Sequence, residues 1–213
     1  MQSSLSIFEK DTLLFVPGSQ YSYSSYGYNL LSAVIEGASG EAFLPFIQRE
    51  VFAALAMNST CPDKNDSIIA NRTSFYEVNS SSVLRNAPYV DNSYKWASGG
   101  FLSTTADLVK FGEAHLAPGF LSAATLKELT TAQVLINGES TGYGLGWEVI
   151  NEPNQLPGFG HSGGSVGGIT QFTIYPKEKT IIVLLSNASN IDYADVPDRI
   201  VKAFLEEKVD NKE

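Results

Sequence analysis

Residues 160–164 are Gly-His-Ser-Gly-Gly, and this stretch decides how the second half of the chain is expected to fold. It lies between residues 143–150 and 169–175, whose apolar or alternating side chains are typical of β-strands. A third such stretch, residues 180–186, follows a short turn at residues 176–179, which predicts a hairpin. We therefore expect an antiparallel sheet here, with the glycine-rich segment between two of its strands.

The rest of the chain has the spacing of helices. Apolar residues or helix-start signals recur in five segments, which predicts a helix in each. These segments are residues 27–37, 41–55, 103–115, 122–133 and 195–207. Residues 73–78 favour a short strand. Helices followed by an antiparallel sheet and a closing helix are typical of the α+β class, and we expect residues 1–213 to form a single domain.

The composition excludes several kinds of partner and cofactor. The net charge of −9 argues against binding to nucleic acid or to an anionic membrane surface. Cys61 is the only cysteine, so no disulfide within the chain and no cysteine-rich zinc site are expected. His115 and His161 are too few for a histidine-rich metal site. The sequence predicts no metal, no organic cofactor and no membrane insertion.

One apparent nucleophile motif is misleading. Residues 163–167 match G-x-S-x-G around Ser165. A nucleophile elbow needs a helix after the serine and a histidine later in the chain. Here a strand is predicted to follow, and both histidines precede Ser165. We therefore interpret this motif as a glycine-rich turn.

Three segments are candidates for a site. Tyr23 lies in a tyrosine-rich stretch, for which the sequence leaves two interpretations. Either the rings only pack in a core, or the phenol of Tyr23 lies beside a cation and acts as a general base. His161 either faces a ligand across its neighbouring glycines or is held in a turn, and local sequence does not decide. The N–H of Gly164 is placed to bind an oxyanion. Trp96, in the polar and aromatic segment 88–102, suits a cleft wall or a core.

Taken together, these segments resemble the penicillin-recognising serine hydrolases. Their pattern is S-x-x-K, then Y-x-N or a near variant, then K-T-G or H-[ST]-G. Tyr23-Ser24-Ser25 falls where the second motif belongs, and His161-Ser162-Gly163 where the third belongs. Residues 88–102 resemble most the LACTB-like branch of this superfamily. The resemblance covers nearly the whole chain.

The resemblance implies a β-lactamase/transpeptidase-like fold and acyl hydrolysis through a serine acyl-enzyme. It assigns Tyr23 to proton transfer, His161 to the lysine position of the third motif, and Gly164 to the oxyanion hole. It also implies that the substrate contacts are Ser25, Ser162, Gly163 and Trp96. Ser25 stands where the family has asparagine, and a hydroxyl has a shorter reach and one donor fewer. This change favours a peptidase or esterase over an antibiotic-degrading enzyme.

The nucleophile motif itself is missing. None of the ten lysines has a serine three residues before it, so the chain contains no S-x-x-K. We expect that motif upstream of Met1, and we expect this chain to be inactive until it pairs with the upstream segment. The expected substrate is a small molecule or peptide with a peptide, ester or β-lactam bond. The alternative is a non-catalytic, self-associating assembly protein, or another binding protein, built on the same fold.

Overall fold

A computed structural model describes residues 2–151, 155–190, 193 and 196–210. The helices, in chain order, are α1 (Ser25–Ser39), α2 (Phe43–Ile47), α3 (Trp96–Gly99), α4 (Thr105–Glu113), α5 (Ala123–Leu129) and α6 (Val196–Asp210). Gln2–Ile7 forms a 3₁₀ segment, and α2 continues directly into a π-helical segment, Gln48–Ala53.

The strands form three sheets. They are β1 (Cys61–Pro62), β2 (Tyr76–Val78), β3 (Leu84–Asn86), β4 (Phe101–Leu102), β5 (Glu148–Ile150), β6 (Gly158–Ser165), β7 (Gly168–Tyr175), β8 (Thr180–Ser186) and β9 (Ala188–Ser189). The main sheet has the antiparallel order β5-β6-β7-β8. β1 pairs with β4, and β2 lies between β3 and a parallel β9.

Both faces of the main sheet are covered by apolar side chains. One face carries a cluster formed by Trp147, Phe159 and Ile174, with Phe111 of α4 and Leu129 of α5 packed against it. A second cluster joins side chains of β7 and β8 to α6, and it consists of Tyr175, Ile182 and Val201. Each fully buried side chain of this size stabilises the fold by about 1.5–3 kcal/mol. The sheet is therefore held between helices, and the predicted α+β class is confirmed.

The glycine-rich segment is a strand in its own right, which corrects the prediction that it only separates two strands. Strand β6 spans residues 158–165, and residues 159–165 pair with β7 without interruption, from Phe159 opposite Ile174 to Ser165 opposite Gly168. Gly160 permits this pairing, because a Cβ there would collide with the backbone oxygen of Phe172. The glycines lower strand propensity, but tertiary pairing outweighs that preference.

The strand predicted over residues 143–150 is the main error. Only Glu148–Ile150 is strand, and residues 143–147 form a looped connection. Gly142 and Gly146 have φ angles of 68° and 88°, in the left-handed region that glycine adopts readily. Gly144 also packs directly against the backbone oxygen of Leu129, where a side chain would not fit. Glycines with these roles break a strand despite the apolar pattern around them.

The other predicted elements are present with different ends. The helix predicted over residues 122–133 stops at Leu129, where the hydroxyls of Thr130 and Thr131 donate to carbonyls one turn earlier. The helix predicted over residues 41–55 changes to π-helical geometry at Gln48. The strand predicted over residues 73–78 begins at Tyr76. The predicted start of the last helix, Asp195, lies outside the described residues.

No single helix of the described residues is long and apolar enough to cross a membrane. One bent pair, Ser25–Ser39 with Phe43–Ala53, passes the criteria of length and composition, with an angle of 85° between the two helices. Among the described residues, no group of three or more His, Cys, Asp or Glu side chains could hold a metal ion.

Asp107 anchors α4 to the loop before β1. Its buried carboxylate accepts hydrogen bonds from the N–H of Ser59 at 2.7 Å and the hydroxyl of Thr60 at 3.0 Å, and Lys110 Nζ lies at 2.9 Å. Burial by itself would raise the pKa of Asp107, but these partners together hold it below its usual value. The ionised carboxylate is therefore the form that the fold stabilises.

We expect Asp107→Asn to lower the free energy of unfolding by about 1–3 kcal/mol at neutral pH, because an amide cannot satisfy all these donors. Asp107 contributes fully to the free energy of unfolding above the pKa of a carboxyl in the unfolded chain, about 3.9. This contribution is lost as the pH falls through the lower pKa of Asp107 in the folded protein. Urea denaturation at neutral and acidic pH measures this, with exposed Asp11→Asn as the control. Equal stability of the two variants at neutral pH would contradict the assignment.

Gly160 and Gly164 give a matched test of strand β6. We expect Gly160→Ala to destabilise the protein by about 1–3 kcal/mol or more, because its Cβ meets the backbone of Phe172. Gly164→Ala should leave stability within about 0.5 kcal/mol, since nothing lies within 4 Å of a Cβ there. Urea denaturation of both variants measures the difference. A larger loss at Gly164 than at Gly160 would show that the register of β6 is wrong.

Candidate functional site

One open cleft, with a volume of about 1720 Å³, collects all the residues that the sequence predicted for a site. Its walls come from the segment before α1, from residues 86–103 and from strands β6 and β7. The predicted residues that line it are Tyr23, Ser25, Trp96, His161, Ser162, Gly163 and Gly164. Segments far apart in sequence therefore converge on one surface.

Tyr23 stands at the entrance to α1. Ser24, the residue before that helix, is extended, so Tyr23 lies outside the helix, and its side chain is 48 % exposed. Its ring lies 5.6 Å from the ring of His161, measured between centroids. In the described part of the chain its hydroxyl has no hydrogen-bond partner, which leaves that hydroxyl available to a ligand. Ser25, the first residue of α1, is likewise exposed.

A chain of hydrogen bonds holds the ring of His161. Tyr143 Oη lies 2.8 Å from His161 Nε2, and the hydroxyls of Tyr28 and Tyr143 are hydrogen-bonded to each other. On the other side of the ring, His161 Nδ1 lies 2.6 Å from the carbonyl oxygen of Ser162. A carbonyl only accepts, so Nδ1 carries the proton and Nε2 of the neutral ring accepts from Tyr143. Both ring nitrogens are thus engaged by the protein.

Burial keeps the two supporting phenols protonated. It raises the pKa of Tyr143 far above its ordinary value, and the hydrogen bond with Tyr28 raises it further. Burial also raises the pKa of Tyr28, although its bond with Tyr143 acts in the opposite direction. Protonated phenols can donate in sequence, from Tyr28 to Tyr143 and from Tyr143 to His161.

Strand β6 has an open edge beside this group. β5 pairs only with residues 158–160 of β6, so residues 161–165 have a strand neighbour on the β7 side alone. Backbone N–H and C=O groups of alternate residues along such an edge are free to pair with a ligand. Space is available at Gly164, where a Cβ would meet nothing within 4 Å. At Gly163 a Cβ would lie only 2.5 Å from Thr170 Oγ1.

Glu148 borders the same edge. It is paired with Gly160 across β5 and β6, and its Oε1 accepts a hydrogen bond from Ser162 Oγ at 3.1 Å. The same oxygen is 3.9 Å from His161 Nδ1. The Glu148 side chain is 44 % exposed, so its charge faces the cleft as well as the strand.

The turn after β6 is not a nucleophile elbow, and this agrees with the prediction of a glycine-rich turn. Ser165 ends the strand, Val166 and Gly167 make the turn, and β7 begins at Gly168. Lys95 Nζ does lie 3.4 Å from Ser165 Oγ. A lysine activates a serine when burial makes it neutral, but this contact is open to solvent. The pair therefore lacks the environment of a nucleophile and base.

Trp96 is part of the cleft wall. It begins the short helix α3 and packs against Gly100, where a Cβ would lie 2.7 Å from the indole ring. Its Nε1 is buried and has no hydrogen-bond partner among the described residues. The segment from Trp96 to Phe101 thus forms a wall of the cleft and contributes Phe101 to the packing around Phe52.

Sequence reasoning missed Tyr143, Tyr28 and Glu148 as members of the site. Tyr28 belongs to the tyrosine-rich stretch in which the sequence singles out Tyr23 alone, and Tyr143 and Glu148 fall within one predicted strand, residues 143–150. The available signal was the spacing of Gly142, Gly144 and Gly146, which indicates a loop around Tyr143. A looped segment beside a predicted site is a frequent source of functional side chains.

The chain is similar to several known proteins. Residues 2–205 match the family model Beta-lactamase. The chain is 39 % identical over 201 residues to the serine beta-lactamase-like protein LACTB, mitochondrial, of Mus musculus, covering 82 % of this chain and 36 % of that protein. It is 30 % identical over 186 residues to penicillin-binding protein 4* of Bacillus subtilis, covering 81 % of this chain and 41 % of the relative.

The fold agrees with these sequence matches. The octameric penicillin-binding protein homologue from Pyrococcus abyssi superposes with a TM-score of 0.82 at 20 % identity, covering 96 % of this chain and 47 % of that one. The chain spans less than half of the length of these relatives. The family model extends over nearly all of the 213 residues, and we conclude that the chain belongs to the Beta-lactamase family, with its β-lactamase/transpeptidase-like fold.

Proposed function

We propose that this chain supplies the tyrosine and His-Ser-Gly parts of a serine acyl hydrolase of the peptidase or esterase type. The observation that carries the proposal is the convergence of Tyr23, His161 and Gly164 on one cleft. Composition or packing gives no other reason for a free phenol, a doubly held histidine and an open strand edge to meet. Membership of the family supports the reaction class.

Tyr23 is the proton-transfer residue of this proposal. Its hydroxyl is exposed and makes no hydrogen bond within the described residues, while its ring is held against the rings of Tyr28, Tyr143 and His161. A catalytic acid or base needs this combination of a fixed ring and a free polar atom. With Tyr23 as the phenolate, the nucleophilic serine gives its proton to the Tyr23 oxygen and attacks the substrate carbonyl. The tetrahedral intermediate then breaks its bond to the amine or alcohol, which leaves with that proton, and the acyl-enzyme remains. Water then releases the acyl group.

His161 serves as a ring held by two hydrogen bonds and not as the base. Tyr143 occupies Nε2 and the Ser162 carbonyl occupies Nδ1, so neither nitrogen is free to take a proton from a nucleophile. Its contribution is to shape the cleft beside Tyr23, at the position where relatives with a K-T-G motif have a lysine. Tyr143 is accordingly a positioning residue for His161, and Tyr28 for Tyr143.

The open edge of β6 is where the substrate would lie. An extended peptide or acyl group can pair with residues 161–165 as an added strand, because β5 pairs only with residues 158–160 of β6. The N–H of Gly164 then donates to the oxyanion that forms when the carbonyl is attacked. Ser162, Gly163, Ser25 and Trp96 border the same space as substrate contacts.

The nucleophile has to come from a segment that carries S-x-x-K, since none of the 213 residues forms that motif. Ser165 with Lys95 does not replace it, because their 3.4 Å contact is exposed to solvent. We therefore expect this chain to be inactive by itself and active when joined to, or paired with, such a segment. The chain covers 36 % of the mouse relative. The activity of a protein that contains both this chain and an S-x-x-K segment is therefore part of the proposal.

A non-catalytic assembly protein is the second candidate. The structural neighbour from Pyrococcus abyssi is described as octameric, and it shares the fold over 96 % of this chain. On this reading, the aromatic cluster around Tyr143 is a structural device, and self-association is the function. The two candidates differ in whether a reactive serine can be created in the cleft.

We expect the 213-residue chain to remain unlabelled by a fluorophosphonate or a fluorescent penicillin. Joining it to a segment that carries S-x-x-K should produce labelling at the motif serine. Tyr23→Phe in the joined protein should slow labelling by about 10²–10⁴-fold without loss of fold, because the hydroxyl has no structural partner. In-gel fluorescence and intact mass measure these changes.

The controls separate the candidates. Ser165→Ala should change nothing, and labelling of the short chain at Ser165 would contradict the proposal. A joined protein that folds, assembles and never labels, with or without Tyr23, would favour the assembly protein.

Tyr143→Phe should change the protonation pattern of the His161 ring. We expect His161 to carry its proton on Nδ1 in the native chain and to shift towards the Nε2–H form when the Tyr143 donor is removed. Nitrogen-15 NMR of the ring measures this, and buried His115, the other histidine, is an internal reference. Tyr21→Phe is the matched control, because its ring contacts Tyr143 but does not bond to His161. An unchanged His161 signal would remove the positioning role.

A further inference from the structure

The charges that line the cleft do not cancel. Among its described lining residues, those with a formal charge are Asp63, Arg72 and Glu148. Arg72 Nη2 lies 2.7 Å from Asp63 Oδ1, and the guanidinium also stacks over Phe75, so this pair is neutral and held in place. Within the described residues, no lysine or arginine pairs with Glu148. The nearest group that can carry a positive charge is His161, whose Nδ1 lies 3.9 Å from Glu148 Oε1 and is charged only if the ring is protonated. With a neutral ring, Glu148 is the lining carboxylate that has no cationic partner among the described residues.

The position of that carboxylate is fixed beside the proposed substrate edge. Ser162 Oγ donates to Glu148 Oε1 at 3.1 Å, and Ser162 is a residue of the open half of β6. A group bound along residues 161–165 would lie within a few ångströms of Glu148. Its half-exposed side chain leaves the second carboxylate oxygen free of any bond within the described residues.

Aromatic rings add to the negative potential of this corner. The ring of Tyr143 has the rings of Tyr21 and Tyr23 at 5.6 and 6.0 Å between centroids, and Tyr21 and Tyr23 are 44 % and 48 % exposed. The faces of such rings attract cations. The pKa of Tyr21 is raised, mainly by burial and also by the charge of Glu148, which places both groups within electrostatic reach of each other.

We propose that this corner, made of Glu148 with Tyr21, Tyr23 and Tyr143, selects acyl substrates that carry an ammonium group close to the scissile carbonyl. The inference rests on the acyl-hydrolase function proposed above and names its substrate class: amino-acid amides, esters or peptides with a free amine. An ammonium gains attraction from the carboxylate and the rings, whereas a carboxylate at the same place meets like charge. Anionic acyl groups are therefore disfavoured.

Binding to the 213-residue chain tests the charge preference without any reaction. NMR titration at about pH 7, where an α-amine is still mostly protonated and an ordinary imidazole is mostly neutral, compares alaninamide with N-acetylalaninamide, which has the same acyl unit without the charge. We expect alaninamide to bind about five- to tenfold more tightly, with shifts at His161 and Tyr143. Glu148→Gln should remove the difference, and exposed Glu139→Gln, which lies outside the cleft, should preserve it. Equal affinities, or no binding of alaninamide, would overturn the proposal.

Hydrolysis by the protein joined to an S-x-x-K segment distinguishes the charge preference from the acyl-hydrolase function itself. The substrates are alanine p-nitroanilide and its N-acetyl and N-succinyl derivatives, which are cationic, neutral and anionic. We expect kcat/KM to fall in that order. Glu148→Gln should reduce the ratio of kcat/KM between the cationic and the anionic substrate about tenfold. Hydrolysis of all three at one rate, or best hydrolysis of the succinyl derivative, would overturn the charge preference and leave the acyl hydrolase standing. Failure with all three would count against the hydrolase, and the titration would still decide the charge preference.

Discussion

The pairing of β6 with β7 is the interaction on which the rest of the structure depends. It runs from Phe159 to Ser165, and it fixes at once the core side chain Phe159 and the cleft side chain His161. Because Phe159 and His161 are two residues apart, they point to the same face of the sheet, and a register shift of one residue would turn both to the opposite face. The close approach at Gly160 contributes to holding that register. Core packing and site geometry are therefore set by the same backbone contacts.

The sequence was most informative where a local pattern coincided with tertiary structure. Strands β7 and β8 and the helix after Thr104 were predictable, because apolar alternation and a hydroxyl cap have direct local causes. Residues 143–147 were not, since the apolar pattern there serves a loop whose glycines are required by packing on the end of α5. Long-range contacts of this kind leave little trace in a window of ten residues.

The site shows the same division. Tyr23 and His161 could be identified because motifs at known spacing carry them, and both line the cleft. Tyr143 and Glu148 could not, because their importance comes from contacts across the fold: one bonds to the His161 ring and the other to the hydroxyl of Ser162. A motif names the residues that react or bind, whereas the residues that orient them depend on three-dimensional packing.

The short reach of β5 has a consequence for colloidal behaviour. An uncovered strand edge is a template on which other copies can stack into intermolecular sheets. Residues 160–164 contain three glycines, and glycine is poorly suited to flat, paired strands. The nearby carboxylate of Glu148 would also face its own copy across any symmetric contact. The glycines and the carboxylate thus make this edge a weaker template for a second copy of the chain than an edge of β-branched residues would be.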